Sequence, residues 1–291
     1  MLWIPFTLMA AFMQAWRNAF QKQLSKEVKS TGVTLARFIW AGPLAGVYLW
    51  GLYQWQPTEL PRFSPVFGGY ILAAALAQIL ATNLMVKLFQ LKNFAIGVGL
   101  AKSEAILAAA LGVVFFAAPL TPLGWLGVLL GGVAVFLLSG VTKVRGLSWQ
   151  TLALGLGSGL AFALTSLWVR EASLELGLPV PYGAGWVLLL VISLQTLLLT
   201  GWLWLKDRVT LRALLARPRL TLLISGCSCL GSIGWFTAMS LETVAMVKTL
   251  GQVEVLFTLL ISAFFFKEVL ARNDQLGLAL IVIAALCVMW S

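Results

Sequence analysis

Apolar runs of roughly 18 to 25 residues recur along the whole chain, and this recurrence narrows the possible folds more than any other feature. A run of that length crosses a hydrocarbon core of about 30 Å as an α-helix. Lipid offers the backbone no hydrogen-bond partner, so such a sequence specifies helices joined by tight turns. The runs are too continuously apolar for a transmembrane β-barrel, whose strands alternate over about ten residues. Composition agrees, with 60% hydrophobic and 10% charged residues among 291. The expected fold is an all-α polytopic membrane protein.

Ten transmembrane helices are expected: Leu2–Leu24, Thr31–Gln54, Pro65–Phe89, Asn93–Ala118, Leu123–Val141, Trp149–Arg170, Tyr182–Leu205, Leu220–Leu241, Thr243–Phe266 and Gln275–Trp290. The connections are short and marked by Pro, Gly and charge, as at Gln56–Pro61, Lys143–Gly146 and Lys206–Arg219, and none is long enough for a soluble domain. The first run lacks a basic leader and is long enough to span, so no cleavable signal peptide is expected.

An internal repeat appears at an offset of 150 residues. Glu104 falls on Glu254, Phe115-Phe116 on Phe265-Phe266, Ala11-Phe12 on Ala161-Phe162, Gly51 on Gly201, Gly127 on Gly277 and Ala134 on Ala284. The expected organisation is one membrane domain of two five-helix repeats, 1–142 and 149–291. Because five is odd, the second copy must be inverted.

Loop charge tests the inversion independently. The loop after span 1 carries Lys22, Lys26 and Lys29, while its counterpart after span 6 carries Glu171 and Glu175. The loop after span 2 is nearly neutral, and its counterpart holds Lys206, Arg208, Arg212, Arg217 and Arg219. Loops after odd-numbered spans hold 14 of the 20 Lys and Arg residues. The positive-inside rule therefore puts those loops in the cytoplasm and both termini outside. This placement also reads the net charge of +10 as an orientation signal, with no nucleic-acid partner implied.

Six ionisable residues fall well within spans: Arg17, Arg37, Lys102, Glu104, Lys248 and Glu254. Each must face the bundle interior, water or a partner, because charge facing lipid is expensive. Four cations against two carboxylates would suit a carboxylate or phosphate better than a bare cation. Glu104 and Glu254 have two readings. They line a central cavity and exchange a proton for solute, or they lock helices together as a salt bridge. Lys102 and Glu104 are two apart and point to different faces. Lys248 and Glu254, six apart, differ by roughly 240° around a helix. Partners across helices are expected instead, Lys102 with Glu254 among them.

Lys248 lies near the start of its span and Arg17 near the end of its own, so both have a snorkelling alternative. Arg37 sits a turn or two into span 2, near a cavity mouth. Gln14, Asn18, Gln78, Asn83, Ser103, Thr249 and Gln252 add polar groups, for which interhelical hydrogen bonding is the ordinary reading. Gln252 falls on Lys102 in the repeat, so that position is polar twice. Trp16, Trp40, Trp168 and Trp235 lie deep enough to line a cavity, against the more ordinary reading of helix packing. Gly97, Gly99, Gly131, Gly132, Gly155, Gly157 and Gly159 permit close helix approach.

The ordered set of motifs resembles the EamA-type members of the drug/metabolite transporter superfamily. Ala15-Trp16-Arg17-Asn18-Ala19-Phe20 is similar to that family's Trp-Gly-Ser-Asn-Phe stretch, and Arg37-Phe38 to its Arg-Phe pair. Glu254, Phe265-Phe266-Lys267-Glu268, then Gln275-Leu276-Gly277 is similar to its closing pattern of mid-helix Glu, terminal Glu and Gln-x-x-Gly, with one residue fewer between Gln and Gly here. The resemblance covers the whole chain. It implies a ten-helix carrier of small metabolites or drugs working by alternating access, with export as the expected direction and a bacterial inner (plasma) membrane as the expected location. The chain departs from the pattern at Val255, where Pro is common, and at Ala118, where a terminal Glu is usual. Relatives are also drawn with cytoplasmic termini, opposite to the loop-charge reading.

These observations favour a secondary-active transporter of an anionic, zwitterionic or amphipathic solute, partnered by protons and the bilayer, as a monomer or homodimer. An exporter of hydrophobic cationic drugs and a lipid-handling or scaffold protein are the alternatives. An enzyme is not expected: there is no His, and Asp207 and Asp274 both fall at loops. No cofactor is expected either. Cys227, Cys229 and Cys287 lie in apolar helices with nothing beside them to complete a metal site. Gly155-x-Gly157-x-Gly159 lacks the preceding strand of a dinucleotide loop, and no nucleotide motif offers direct ATP drive.

Overall fold

A computed structural model describes residues 1–91, 100–118, 120–138, 148–264 and 274–290. The sequence features at Lys92, Asn93, Gly97, Val98, Gly99, Lys143–Gly146, Phe265–Glu268 and Arg272, and the side chain of Gln275, lie outside them. The described residues form α-helices and one 3-10 turn, with no strand among them. In chain order the helices are α1 (Trp3–Leu24), α2 (Ser30–Ala36), α3 (Ala41–Trp55), α4 (Pro65–Leu91), α5 (Glu104–Phe116) and α6 (Pro122–Leu138). Then follow α7 (Trp149–Glu175), α8 (Tyr182–Lys206), α9 (Arg208–Leu215), α10 (Pro218–Leu241), α11 (Val244–Leu250), the 3-10 turn Gly251–Val253, α12 (Glu254–Phe264) and α13 (Asp274–Met289).

Among the described residues, six segments are long and apolar enough to cross a membrane: Ser30–Trp55, Pro65–Leu91, Trp149–Glu175, Tyr182–Lys206, Pro218–Leu241 and Val244–Ile261. The protein is thus an all-helical chain built like a membrane protein. Glu104–Phe116, Pro122–Leu137 and Ala279–Met289 are apolar but shorter. The first helix corrects the expectation of an ordinary span. It has 22 residues but is not among the six, because Gln14, Arg17, Asn18, Gln21 and Lys22 make one side of it polar.

Three expected spans are interrupted, and each interruption has a local cause. Span 2 breaks between Ala36 and Ala41, where Pro43 removes the amide that would bond the carbonyl of Ile39. The loosened backbone is satisfied from α10: Ser225 Oγ donates to the carbonyl of Ala36 at 2.7 Å and accepts from the amide of Trp40 at 3.2 Å. A break inside lipid survives only with such partners. Span 9 breaks at Gly251–Val253, where a Cβ on Gly251 would stand 2.2 Å from the Trp235 ring. Span 4 turns at Lys102-Ser103, where α7 comes so close that a Cβ on Gly159 would stand 2.1 Å from Ser103 Oγ. In consequence Glu104 and Glu254 each open a new helix.

Packing is pairwise: α1 lies along α10, α4 along α7, and α6 along α13, with α5 against α7 and α11. The buried apolar core runs through Phe38, Leu167, Leu188, Ile224 and Met239. The connections cluster at two ends. At one end Lys29 pairs with Asp207 at 2.8 Å, and Glu27 pairs with Arg217. At the other end Ser64 bonds Glu175 at 2.9 Å, and Arg170 donates to the carbonyls of Met239 and Glu242.

Candidate functional site

The interruptions and the polar side of α1 meet in one cavity. Arg17, Arg37, Lys102, Glu104, Lys248 and Glu254 all line it, with Gln14, Asn18 and Gln78 among the polar groups and Phe162, Trp235 and Phe236 among the aromatic ones. Five of the six ionisable side chains are buried, and Lys248 is nearly so. The cavity measures about 30 Å3, which is room for about one water. The groups are therefore closed upon one another.

Glu254 is fully buried, and its carboxylate is surrounded by donors. Lys102 and Gln14 Nε2 donate to Oε2, and Asn18 Nδ2 donates to Oε1 at 2.8 Å. Asn18 in turn accepts from Arg17, at 2.8 Å from Nη2 and 3.2 Å from Nε. Gln14 accepts from the Trp235 indole at 2.9 Å. Glu104 has a thinner shell: Lys248 at 2.7 Å and Ser166 Oγ at 3.1 Å, both on Oε1. The Lys248 ammonium also sits 4.3 Å from the Trp235 ring centroid, a cation–π distance. The two ion pairs cross, each joining a lysine of one half of the chain to a glutamate of the other. Both carboxylates also lie in the first turn of a helix, where the macrodipole favours negative charge.

The two arginines are held differently. Arg37 sits in the break between α2 and α3, with Nη1 donating to Thr82 at 2.8 Å and Nε to Ser228 at 3.2 Å. Its guanidinium lies 5.3 and 5.9 Å from the Phe38 and Phe162 rings. No carboxylate among the described residues lies within ion-pair distance of Arg17 or Arg37. The excess positive charge thus resides on the two guanidiniums.

Of the nine residues singled out from sequence, six line the cavity and three do not. Trp16 lies off it, stacked near Phe20 with centroids 5.6 Å apart and packed with Phe257 against Ala15 and Ala19. Asn83 also lies outside the lining, and its buried Oδ1 has no hydrogen-bond partner among the described residues. Gln252 is buried against Gly131, and neither amide atom has a partner there. Snorkelling is overturned for Arg17 and Lys248: an interior ion cluster holds both more firmly than a distant headgroup can. Of the deep tryptophans, Trp235 lines the cavity, whereas Trp40 is exposed. The hydroxyls that position the charges, Ser166, Thr82 and Ser228, escaped sequence reasoning. Small hydroxyls are ordinary in apolar helices and carry no signal of their own.

No family model matches the sequence, and no curated protein does. A crystal structure of another protein superimposes over 98% of both chains with a TM-score of 0.72 at 15% identity. At that identity the likeness is one of fold alone.

Proposed function

We propose that this protein is a secondary-active membrane transporter of a small organic solute that is anionic, zwitterionic or amphipathic. It works by alternating access as a ten-helix, two-repeat carrier of the drug/metabolite transporter superfamily. The observation that carries this reading is the convergence of six in-span charges on one buried cavity. A charge at the centre of a membrane helix costs about 2.5–3.5 kcal/mol on insertion scales. Helix packing gives a reason for two crossed ion pairs. Neutral hydroxyls and an amide hold two further guanidiniums, and a solute's carboxylate or phosphate would supply the missing charge, because guanidinium matches both.

Packing supports the repeat. The offset of 150 exchanges α1 with α7 and α4 with α10, and α1 lies on α10 as α7 lies on α4. Both copies break just before their glutamate. The solute's anionic group binds at Arg17 and Arg37 as the helices part. Lys102 and Lys248 release their glutamates to reach it, and Glu254 exchanges a proton while unpaired. Export follows from the family resemblance. The cationic-drug alternative fits less well, since both carboxylates already hold lysines and the cavity charge repels a cation. Lipid handling calls for a lateral groove, and this cavity is central.

Reconstituted proteoliposomes on a solid-supported membrane test the reading. Organic acids, amino acids and cationic drugs are applied at two pH values. Charge movement is expected with at least one anion or zwitterion and is expected to vanish in Arg37→Gln. Currents evoked by cations alone, or anion currents indifferent to both Arg37→Gln and Glu254→Gln, would overturn it.

A further inference from the structure

A second and larger hollow lies away from the charged cavity, at the end of the bundle where the α1–α2 connection meets α9 and α10. It measures about 520 Å3. Its walls divide by chemistry. Phe20, Leu24, Leu220 and Leu223 form an apolar trough along α1 and α10, and Arg217 and Arg219 stand at its mouth. Leu223 is half exposed one turn below Arg219, so trough and cation share one face of α10. Arg217 is paired with Glu27, whereas Arg219 has no ion-pair partner among the described residues. The adjoining helix α9, Arg-Val-Thr-Leu-Arg-Ala-Leu-Leu, is short and two-faced. Val209 and Leu215 are exposed on it, and Arg208 and Arg212 supply its charge. Such a helix lies in the membrane–water interface.

We infer that this groove is a binding site for an anionic phospholipid, with an acyl chain along Phe20, Leu220 and Leu223 and the phosphate on Arg219 and Arg217. An apolar trough ending at two guanidiniums complements a molecule with a hydrocarbon tail and a charged head. A basic residue near a membrane surface favours anionic lipid by about 1 kcal/mol. By the loop-charge reading this is the cytoplasmic end, where basic residues meet anionic headgroups. The inference rests on the chain spanning a membrane and not on transport.

Native mass spectrometry of the purified full chain tests it, with phosphatidylglycerol and phosphatidylcholine of identical acyl chains as probes. Preferential retention of phosphatidylglycerol is expected. The preference is expected to fall roughly fivefold in Arg219→Gln and further in Arg217→Gln/Arg219→Gln. Leu223→Ser is expected to weaken both lipids alike. Both arginines are exposed, so these variants fold. Equal retention of the two lipids, or a preference unchanged in Arg217→Gln/Arg219→Gln, would overturn the inference. So would a preference removed only by Arg208→Gln/Arg212→Gln, which would place the headgroup on α9 instead. Each readout is binding alone, so it stands or falls separately from any solute current.

Discussion

Glu104 and Glu254 stand 150 residues apart, each in the first turn of a helix, and live in unequal surroundings. Glu254 takes hydrogen bonds from Lys102, Gln14 and Asn18, and Asn18 is backed by Arg17. Glu104 takes them from Lys248 and Ser166. The reason lies one helix away. At the offset of 150, Gln14 and Asn18 on α1 fall on Leu164 and Trp168 on α7, so no side-chain amide stands at those positions of α7. One ion pair is anchored in a polar network and the other rests on a hydroxyl and a tryptophan face. On the proposed transport cycle the weaker of two otherwise matched contacts would part first, and that contact is Lys248–Glu104.

That comparison can be broken most directly at Glu254. Glu254→Gln leaves Lys102 buried without its partner, and removing one member of a buried pair destabilises by roughly 3–5 kcal/mol. The purified variant is expected to show the largest fall in melting temperature of any single change at the site, with loss of solute currents. Glu104→Gln should be milder, about 1–3 kcal/mol, because the Trp235 face still shelters Lys248. Equal melting temperatures for the two variants would refute the claimed inequality. Gly251→Ala sharpens it from the packing side. The new methyl must displace the Trp235 ring that backs Lys248 and bonds Gln14, at a cost of about 1–3 kcal/mol. Indole fluorescence should report the ring's shift.

The smallest effect is expected far from both glutamates, at Asp207. Hydrogen bonds from Lys29 and from Thr210 hold its carboxyl down at about 2, against about 3.9 for a free aspartate. A depressed carboxyl contributes its stabilisation above its unfolded value and loses it as pH falls toward its folded value. Lys29→Gln should therefore lower the melting temperature slightly at neutral pH, by an amount that shrinks as the pH falls toward about 2. A Lys29→Gln effect that does not shrink over that range would contradict the assignment.

Much of this was legible in the sequence, and the parts that were not have a common cause. Continuous apolar runs announce helices of membrane length, and charge inside such runs announces a buried meeting point, because each charge there needs a partner. Arg17, Arg37, Lys102, Glu104, Lys248 and Glu254 were found on that ground alone. The interruptions were not. Gly42-Pro43 and Gly251 carry the ordinary signals of a break, but a hydrophobic pattern runs through them unchanged, since Ser225 repairs the first break and Trp235 packs on the second from a distant helix. Gln252 was misplaced for the same reason, since it lies in the turn Gly251–Val253. Trp16 and Asn83 sit in unbroken helices, and there an apolar pattern with scattered polar residues does not fix which side meets the cavity.

The polarity of α1 also bears on how the protein is made. This helix is made long before its partner, for Asn18 bonds a residue 236 positions further on. At elongation rates of about 5–20 residues per second that partner arrives roughly 10 to 50 seconds later. Through that interval Arg17 and Asn18 sit in a helix too polar to settle alone in lipid. Helix α1 thus cannot complete its buried contacts until residue 254 has been made, although it is itself built long before.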